Sequence, residues 1–297
     1  MQEAVLITGS SSGIGMETAL FLAKRGFRVY ASMRDTSRSK PLRDAARERD
    51  VSLSILSLDL TENKTIQQAI EQIRCESGGL FALINNAGIQ VRGFFEDIAE
   101  EEMRTVFETN LFGTFAVTRA VLPLMRKARK GRILFMGSLG GRIATMGSSA
   151  YCITKFALEG FAEALYQEML PLGIHVSIVE PGVVRTDLFG RNRTFAKRAL
   201  DPGSPYARWL RSLESLTDEW VASRTLQPSA VARVVCRALE SKRPRLRYVL
   251  GPMAKSLVLG KRYLPMDFMD RLYAKGLWQK VESQGLAEKN DRGIPNG

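Results

Sequence analysis

"AVLITGSSSGIG", Ala4 to Gly15, decides how this chain reads. Four apolar residues of strand character run into Thr8. Gly9, Gly13 and Gly15 then open a stretch with helical patterning. A glycine-rich turn between a strand and a helix lets backbone come close to a pyrophosphate, which the helix N-terminus holds with free amides and a positive dipole end. The spacing is G-x-x-x-G-x-G, not the G-x-G-x-x-G of the usual dinucleotide fingerprint. Glycine turns without a ligand are common, so the motif takes its weight from its place in the first strand–helix unit.

Outward from that turn the pattern repeats. Strand-like segments at about 3–8, 28–32, 52–57, 81–84, 132–136, 174–179 and 246–250 alternate with helical ones at about 14–25, 39–48, 63–76, 100–129, 150–170 and 229–240. Such alternation predicts a doubly wound α/β fold, a seven-stranded parallel sheet with helices on both faces. Near-continuous apolar segments such as "AVLIT" and "FALIN" suit strands buried on both sides. The expected layout is one dinucleotide-binding and catalytic domain over 1–250, with a lid at 186–227, then a helical, basic extension over 251–297. The end of that extension turns polar and is expected to fray from about 288.

Composition removes several classes of function. A hydrophobic content of 45% is ordinary for a soluble domain, and no apolar run is long enough to span a bilayer. Strand-like sequence from residue 3 argues against a signal peptide. The scattered Cys75, Cys152 and Cys236 suggest neither a disulfide framework nor a metal site, so a cytoplasmic location is expected. His175, the single histidine, lies in a strand-like stretch, which leaves no Ser-His-Asp chemistry elsewhere and no multi-histidine zinc site. The net charge of +12 is uneven. Residues 1–190 carry 22 Lys/Arg against 21 Asp/Glu, and residues 191–297 carry 21 against 10.

The chemistry-bearing residues cluster at strand ends, where doubly wound sheets bind ligands. After "RVYAS", Met33 stands where an acid would bind the ribose of NAD, and Arg34 follows; Asp35 lies slightly too far on. An arginine there suits the 2′-phosphate of NADP, so NADP(H) is expected over NAD(H). "NNAG" (Asn85–Gly88) ends the fourth strand, and Asn110 interrupts a helical stretch. Ser138 ends "RILFMGS", and "PGVVRT" (Pro181–Thr186) forms a further strand-end loop. In "YCITK" a phenol and an ammonium, Tyr151 and Lys155, share one helical face. The cation is expected to pull the phenol below its usual pKa of about 10.

Together these motifs resemble the short-chain dehydrogenase/reductase family over about residues 3–250. "VYASMRD", "YCITKFALEG" and "PRLRYVLG" look most like its 17β-hydroxysteroid and retinol dehydrogenase branch. The resemblance implies a catalytic tetrad of Asn110, Ser138, Tyr151 and Lys155. It implies cofactor contacts from Gly9, Ser11, Ser12, Gly13, Ile14 and Gly15, from Arg34, Asp59, Asn86, Ala87 and Gly88, and from Tyr151, Lys155, Pro181, Gly182, Val184 and Thr186. In that reading Tyr151 exchanges the proton, Ser138 binds the substrate oxygen, Lys155 tunes Tyr151 and holds the nicotinamide ribose, and Asn110 holds a relay water. The substrate would touch Ser138, Tyr151 and Phe189. The expected reaction interconverts a primary or secondary alcohol and its carbonyl on a lipophilic, steroid-, retinoid- or lipid-like molecule, the lid residues Phe189, Phe195, Trp209 and Leu210 facing it. The alternatives are a ketoreductase of acyl-chain or small carbonyls and, from another class, a non-catalytic NADP-binding sensor.

Two expectations concern surfaces. The wide apolar arc of "KFALEGFAEALYQEML" points to a homodimer through the helices at 100–129 and 150–170. The segment 252–278 mixes apolar side chains with Lys255, Lys261, Arg262, Arg271 and Lys275, so it either packs on its own domain or on a dimer partner, or makes peripheral contact with an anionic membrane. Pro265 should divide it into two short helices. The basic third carries no nucleic-acid motif, so no nucleic-acid partner is expected.

Overall fold

Short runs of β-branched and aliphatic residues become strands here because both faces of each are covered. In the computed structural model, which describes residues 2–223 and 226–291, seven strands form one sheet: β1 (Ala4–Ile7), β2 (Arg28–Met33), β3 (Ser54–Ser57), β4 (Ala82–Asn85), β5 (Gly131–Met136), β6 (Ile174–Pro181) and β7 (Arg247–Leu250). All pairings are parallel, and the spatial order is β3-β2-β1-β4-β5-β6-β7. The order reverses between β1 and β4, which opens a crevice at the carboxyl ends of those strands.

Alternation along each strand feeds two cores. Leu6, Tyr30, Leu83 and Phe135 face α3 (Asn63–Ser77), α5 (Gly113–Ala128) and α6 (Ser149–Met169). Val5, Ile7, Ala31 and Ile84 face α1 (Gly13–Lys24), α2 (Lys40–Glu48) and α8 (Pro228–Glu240).

Three elements depart from expectation. The single helix anticipated over 100–129 is α4 (Glu100–Phe107) and α5 joined by a π-turn at Glu108–Phe112. The lid carries a 17-residue helix, α7 (Ala207–Ser223), whose buried Leu210, Leu213 and Leu216 recur at helical spacing. The tail forms α9 (Pro252–Tyr263) and α10 (Met266–Asp291), divided at Pro265 as predicted. The second of these is long rather than short, because α7 gives it a partner. Leu277 and Val281 of α10 bury against Leu213 and Leu216 of α7, flanked by Trp209, Trp220 and Trp278. Residues 292–297 and the lid positions 224–225 lie outside the described residues.

Candidate active site

The first strand–helix turn is bare backbone held by two polar side chains, Asn86 and Thr8. Gly9 and Gly13 have φ of 69° and 58°, which side-chain-bearing residues avoid. A Cβ on Gly15 would sit 2.3 Å from the Gly9 carbonyl oxygen and 2.5 Å from Asn86 Nδ2. That space is used by Asn86, whose Nδ2 donates to the carbonyls of Thr8 (2.9 Å) and Gly9 (3.0 Å). Thr8 Oγ1 in turn accepts from the Asn86 and Ala87 amides at 3.0 Å each. The turn after β1 and the end of β4 thus form one rigid lip. Ser11, Ser12, Gly13 and Ile14 line a cleft beside it at the N-terminus of α1, an arrangement suited to an anionic pyrophosphate.

Further along the cleft lie Arg34, Arg38 and Asp59. Asp35 does begin the next turn: its carboxylate accepts from Ser37 N at 2.9 Å, and the Ser37 hydroxyl together with that amide holds its pKa low. Asp59 Oδ1 accepts from the amide and hydroxyl of Thr61, at 2.9 and 2.7 Å.

Asn110 explains the π-turn. Its Oδ1 accepts from Ile89 N (2.8 Å), and its Nδ2 donates to Ile89 O (2.9 Å) and Thr154 Oγ1 (3.1 Å). The wider turn aims this amide at the loop after β4, as π-bulges at functional sites often do. Thr154 Oγ1 donates onward to Tyr151 O at 2.8 Å, which ties the π-turn to α6. Both Nδ2 protons are spent, and only Oδ1 keeps a lone pair for a water. Asn110 is buried behind the cleft rather than on its wall, as is Gly15.

Ser138, Tyr151 and Lys155 meet at the ends of β5 and α6. Ser138 Oγ accepts from Gly140 N at 3.0 Å and lies near enough to the Tyr151 hydroxyl to act on its proton affinity. Lys155 Nζ donates to Met136 O at 2.7 Å and lies 5.5 Å from the Tyr151 ring centroid. Burial pushes the Tyr151 phenol up to about 12, against the pull of Ser138, and burial brings the Lys155 ammonium down to about 8. The expectation that the cation lowers the phenol pKa is therefore corrected. Loss of water around the ring outweighs an ammonium that is itself desolvated and turned toward Met136.

Behind the site lies a second charged cluster. Glu159, one turn beyond Lys155, and Glu180 of β6 face Arg142 and Arg247. Arg247 Nε is 3.0 Å from Glu159 and 3.7 Å from Glu180, and Arg142 Nη1 is 3.4 Å from Glu180. One oxygen on each carboxylate has no partner among the described residues. Burial raises both carboxyl pKa values, Glu180 further still because of Glu159.

The short chain dehydrogenase profile matches residues 3–197, more than half of the chain. The chain belongs to the short-chain dehydrogenase family. Relatives include a 3-ketodihydrosphingosine reductase of Bacteroides thetaiotaomicron, 35% identical over 90% of this chain and 95% of its own. Human 17-beta-hydroxysteroid dehydrogenase type 1 is 34% identical, over 82% of this chain and 76% of its own. Among solved structures, a short-chain dehydrogenase from Streptomyces avermitilis superposes with a TM-score of 0.77 at 33% identity, covering 95% of this chain and 98% of that one. An actinorhodin polyketide ketoreductase with NADPH gives 0.73 at 29% identity, covering 84% and 96%.

In this short-chain dehydrogenase one cavity of about 1240 Å³ runs from the glycine turn past Ser138 and Tyr151 to the tail. Pro181, Gly182, Val184 and Thr186 line it as expected, as does Phe189. The other lid residues do not. Leu210 and Phe195 pack into a side core with Val91 and Ile98, and Trp209 makes tilted and edge-on ring contacts with Phe94, Tyr206 and Trp278. The apolar wall comes instead from Met146, Leu213, Trp220, Met269, Tyr273 and Leu277, which sequence reasoning missed. The leucine repeat of α7 was the available signal. A polar end was missed too. Arg92, 5% exposed, donates to Glu214 at 2.6 Å and Thr217 at 3.2 Å, and Gln90 Nε2 donates to Ser148 at 2.8 Å.

Proposed function

We propose that this short-chain dehydrogenase is an NADP(H)-dependent oxidoreductase that interconverts an alcohol and its carbonyl on a lipophilic substrate. One observation carries the reading: the Ser138–Tyr151 hydroxyl pair sits where a glycine-lined cleft becomes an apolar chamber within a single cavity. The cleft fits a nicotinamide dinucleotide. Gly9 and Gly13 keep its wall bare, Ser11–Ile14 line it at the helix end, and Arg34 with Arg38 supplies two cations toward a 2′-phosphate. When bound, that cofactor gives or takes the hydride.

The chain's own residues do the rest. Tyr151 gives its proton to the carbonyl oxygen in reduction and takes it back in oxidation. Ser138 donates a hydrogen bond to the same oxygen as charge builds on it. Lys155, anchored on Met136, holds the ribose and presents positive charge near Tyr151. Asn110 positions the Ile89 loop and α6 and keeps one lone pair for a relay water. The apolar chamber supports a steroid-, retinoid- or long-chain lipid-like carbonyl. The relative named for a ketodihydrosphingosine supports the last of these, and the likeness to a polyketide ketoreductase keeps an acyl-chain ketone as a second reading. Phe112, Ile153 and Phe156 lie exposed on the π-turn and α6, which supports a homodimer through these elements; a monomer in light scattering would oppose it. A panel of lipophilic and small ketones followed by NADPH absorbance tests the function. Turnover of none, with NADPH still bound, would leave the non-catalytic sensor.

A further inference from the structure

The tail's apolar side chains divide into two sets. Met269, Leu277 and Val281 are buried. Leu259, Tyr263, Leu264, Met266, Phe268 and Leu272 are 47–72% exposed. Twelve large apolar side chains are exposed among the described residues, and these six of them fall within fourteen residues, at the corner where α9 meets α10. A concentration of this kind marks an interaction surface.

Three further observations say what covers it. Leu257, Met269 and Leu272 belong to the cavity wall, so the exposed corner is continuous with the mouth of the apolar chamber. The corner is rimmed by cations: Lys255, Arg271 and Lys275 are exposed and have no carboxylate partner among the described residues, while Lys261 pairs with Asp270 at 2.9 Å. Segment 252–278 holds five Lys/Arg against two Asp. Protein–protein interfaces are depleted in lysine, whereas apolar side chains ringed by lysine and arginine fit the headgroup region of an anionic bilayer. No helix among the described residues is long and apolar enough to cross a membrane, so the contact is peripheral.

We propose that the α9–α10 corner docks on an anionic lipid surface and sets the cavity mouth against it. The docking rests on the corner alone; its use for substrate entrance rests on the lipophilic-substrate reading above. The test is co-sedimentation of the full chain with phosphatidylcholine vesicles, with and without phosphatidylserine, at low and high salt. Binding is expected only with phosphatidylserine and should fall with salt. In Leu259→Asp/Phe268→Asp, affinity should drop by about tenfold for each side chain removed. Turnover of a small water-soluble carbonyl should be unchanged in that variant, which verifies its fold. Lys255→Glu/Lys275→Glu should abolish the preference for phosphatidylserine. The proposal is overturned by equal or absent binding to both vesicles, or by binding that neither variant alters. It is also overturned if the apolar variant changes the molar mass in light scattering, since a second copy would then cover the corner. Vesicle binding without turnover of any lipophilic carbonyl would uphold docking and defeat the proposed activity instead.

Discussion

At the carboxyl edge of the sheet the cavity wall is backbone held by polar side chains, whereas under α7 and α10 it is apolar side chain held by apolar side chain. Around Gly9, Asn86, Ile89 and Met136 the groups that meet the cleft are amides and carbonyls locked by hydrogen bonds of 2.7–3.0 Å. Around Leu213, Trp220, Met269 and Leu277 the wall is apolar packing that reaches the surface at the α9–α10 corner. A hydrogen-bonded edge tolerates almost no displacement, since each lost bond leaves a buried polar group unsatisfied. Apolar packing can be exchanged for other apolar packing at small cost. The first end therefore suits fixed chemistry, and the second suits a substrate that varies.

The difference can be broken from the chemical end first. Tyr151→Phe removes only the exchangeable proton and should lower turnover by about a hundred- to ten-thousandfold, with NADPH affinity nearly intact. Near-normal rates in steady-state assays would refute the acid/base role. Without cofactor, ultraviolet titration should show Tyr151 ionising well above the ordinary tyrosine value of about 10, because burial pushes that phenol up to about 12.

Gly15→Ala tests the rigid lip. Its methyl would overlap the Gly9 carbonyl at 2.3 Å, so NADPH binding by calorimetry should be lost or fall by at least about a hundredfold, the overlap costing a few kcal/mol. A tolerated alanine would mean that the turn can move.

Arg34→Ala should weaken NADPH far more than NADH. A charge-assisted bond to phosphate is worth about 1.5–3 kcal/mol, about tenfold or more in affinity. Equal losses for both cofactors would overturn the NADP assignment.

Leu277→Ala sharpens the other side. It should raise KM for a lipophilic carbonyl by several-fold while NADPH affinity stays unchanged, and it should destabilise the fold by about 2–5 kcal/mol in denaturant titration. An effect on cofactor binding would show that the two ends are not separable.

The smallest effect concerns the acidic pair behind α6. Because burial raises the carboxyl pKa values of Glu159 and Glu180 above their unfolded values, the folded state binds more protons than the unfolded one across that interval. The pair's contribution to stability should accordingly be greatest at the acid end of that interval and decline as pH rises from the ordinary carboxylate range toward neutrality. Thermal melts should show this slope, reduced in Glu180→Gln. An unchanged slope would mean that Arg142 and Arg247 fully neutralise the pair.

Much of the first region was legible in the chain. Strand positions follow from short β-branched runs, and the reactive groups sit at strand ends whose identity the glycine, asparagine and proline motifs announce. The π-turn was not legible, because it answers to Ile89, twenty-one residues away, and no local pattern contains that partner. The Tyr151 pKa was misjudged for a related reason. Spacing reveals the neighbouring cation but not the removal of water, which depends on everything packed around the ring.

By itself, then, the sequence determined the seven-stranded parallel sheet, the short-chain dehydrogenase family and the residues that converge on Tyr151. Local chemistry encodes these: turn glycines, strand-end polar residues and a helical i, i+4 pair. Tertiary structure alone decided which lid aromatics face the cavity, which tail residues close it, and which are left exposed at the α9–α10 corner. Those outcomes depend on how two amphipathic helices far apart in the chain divide their apolar faces between each other, the cavity and solvent, a choice made only when they pack.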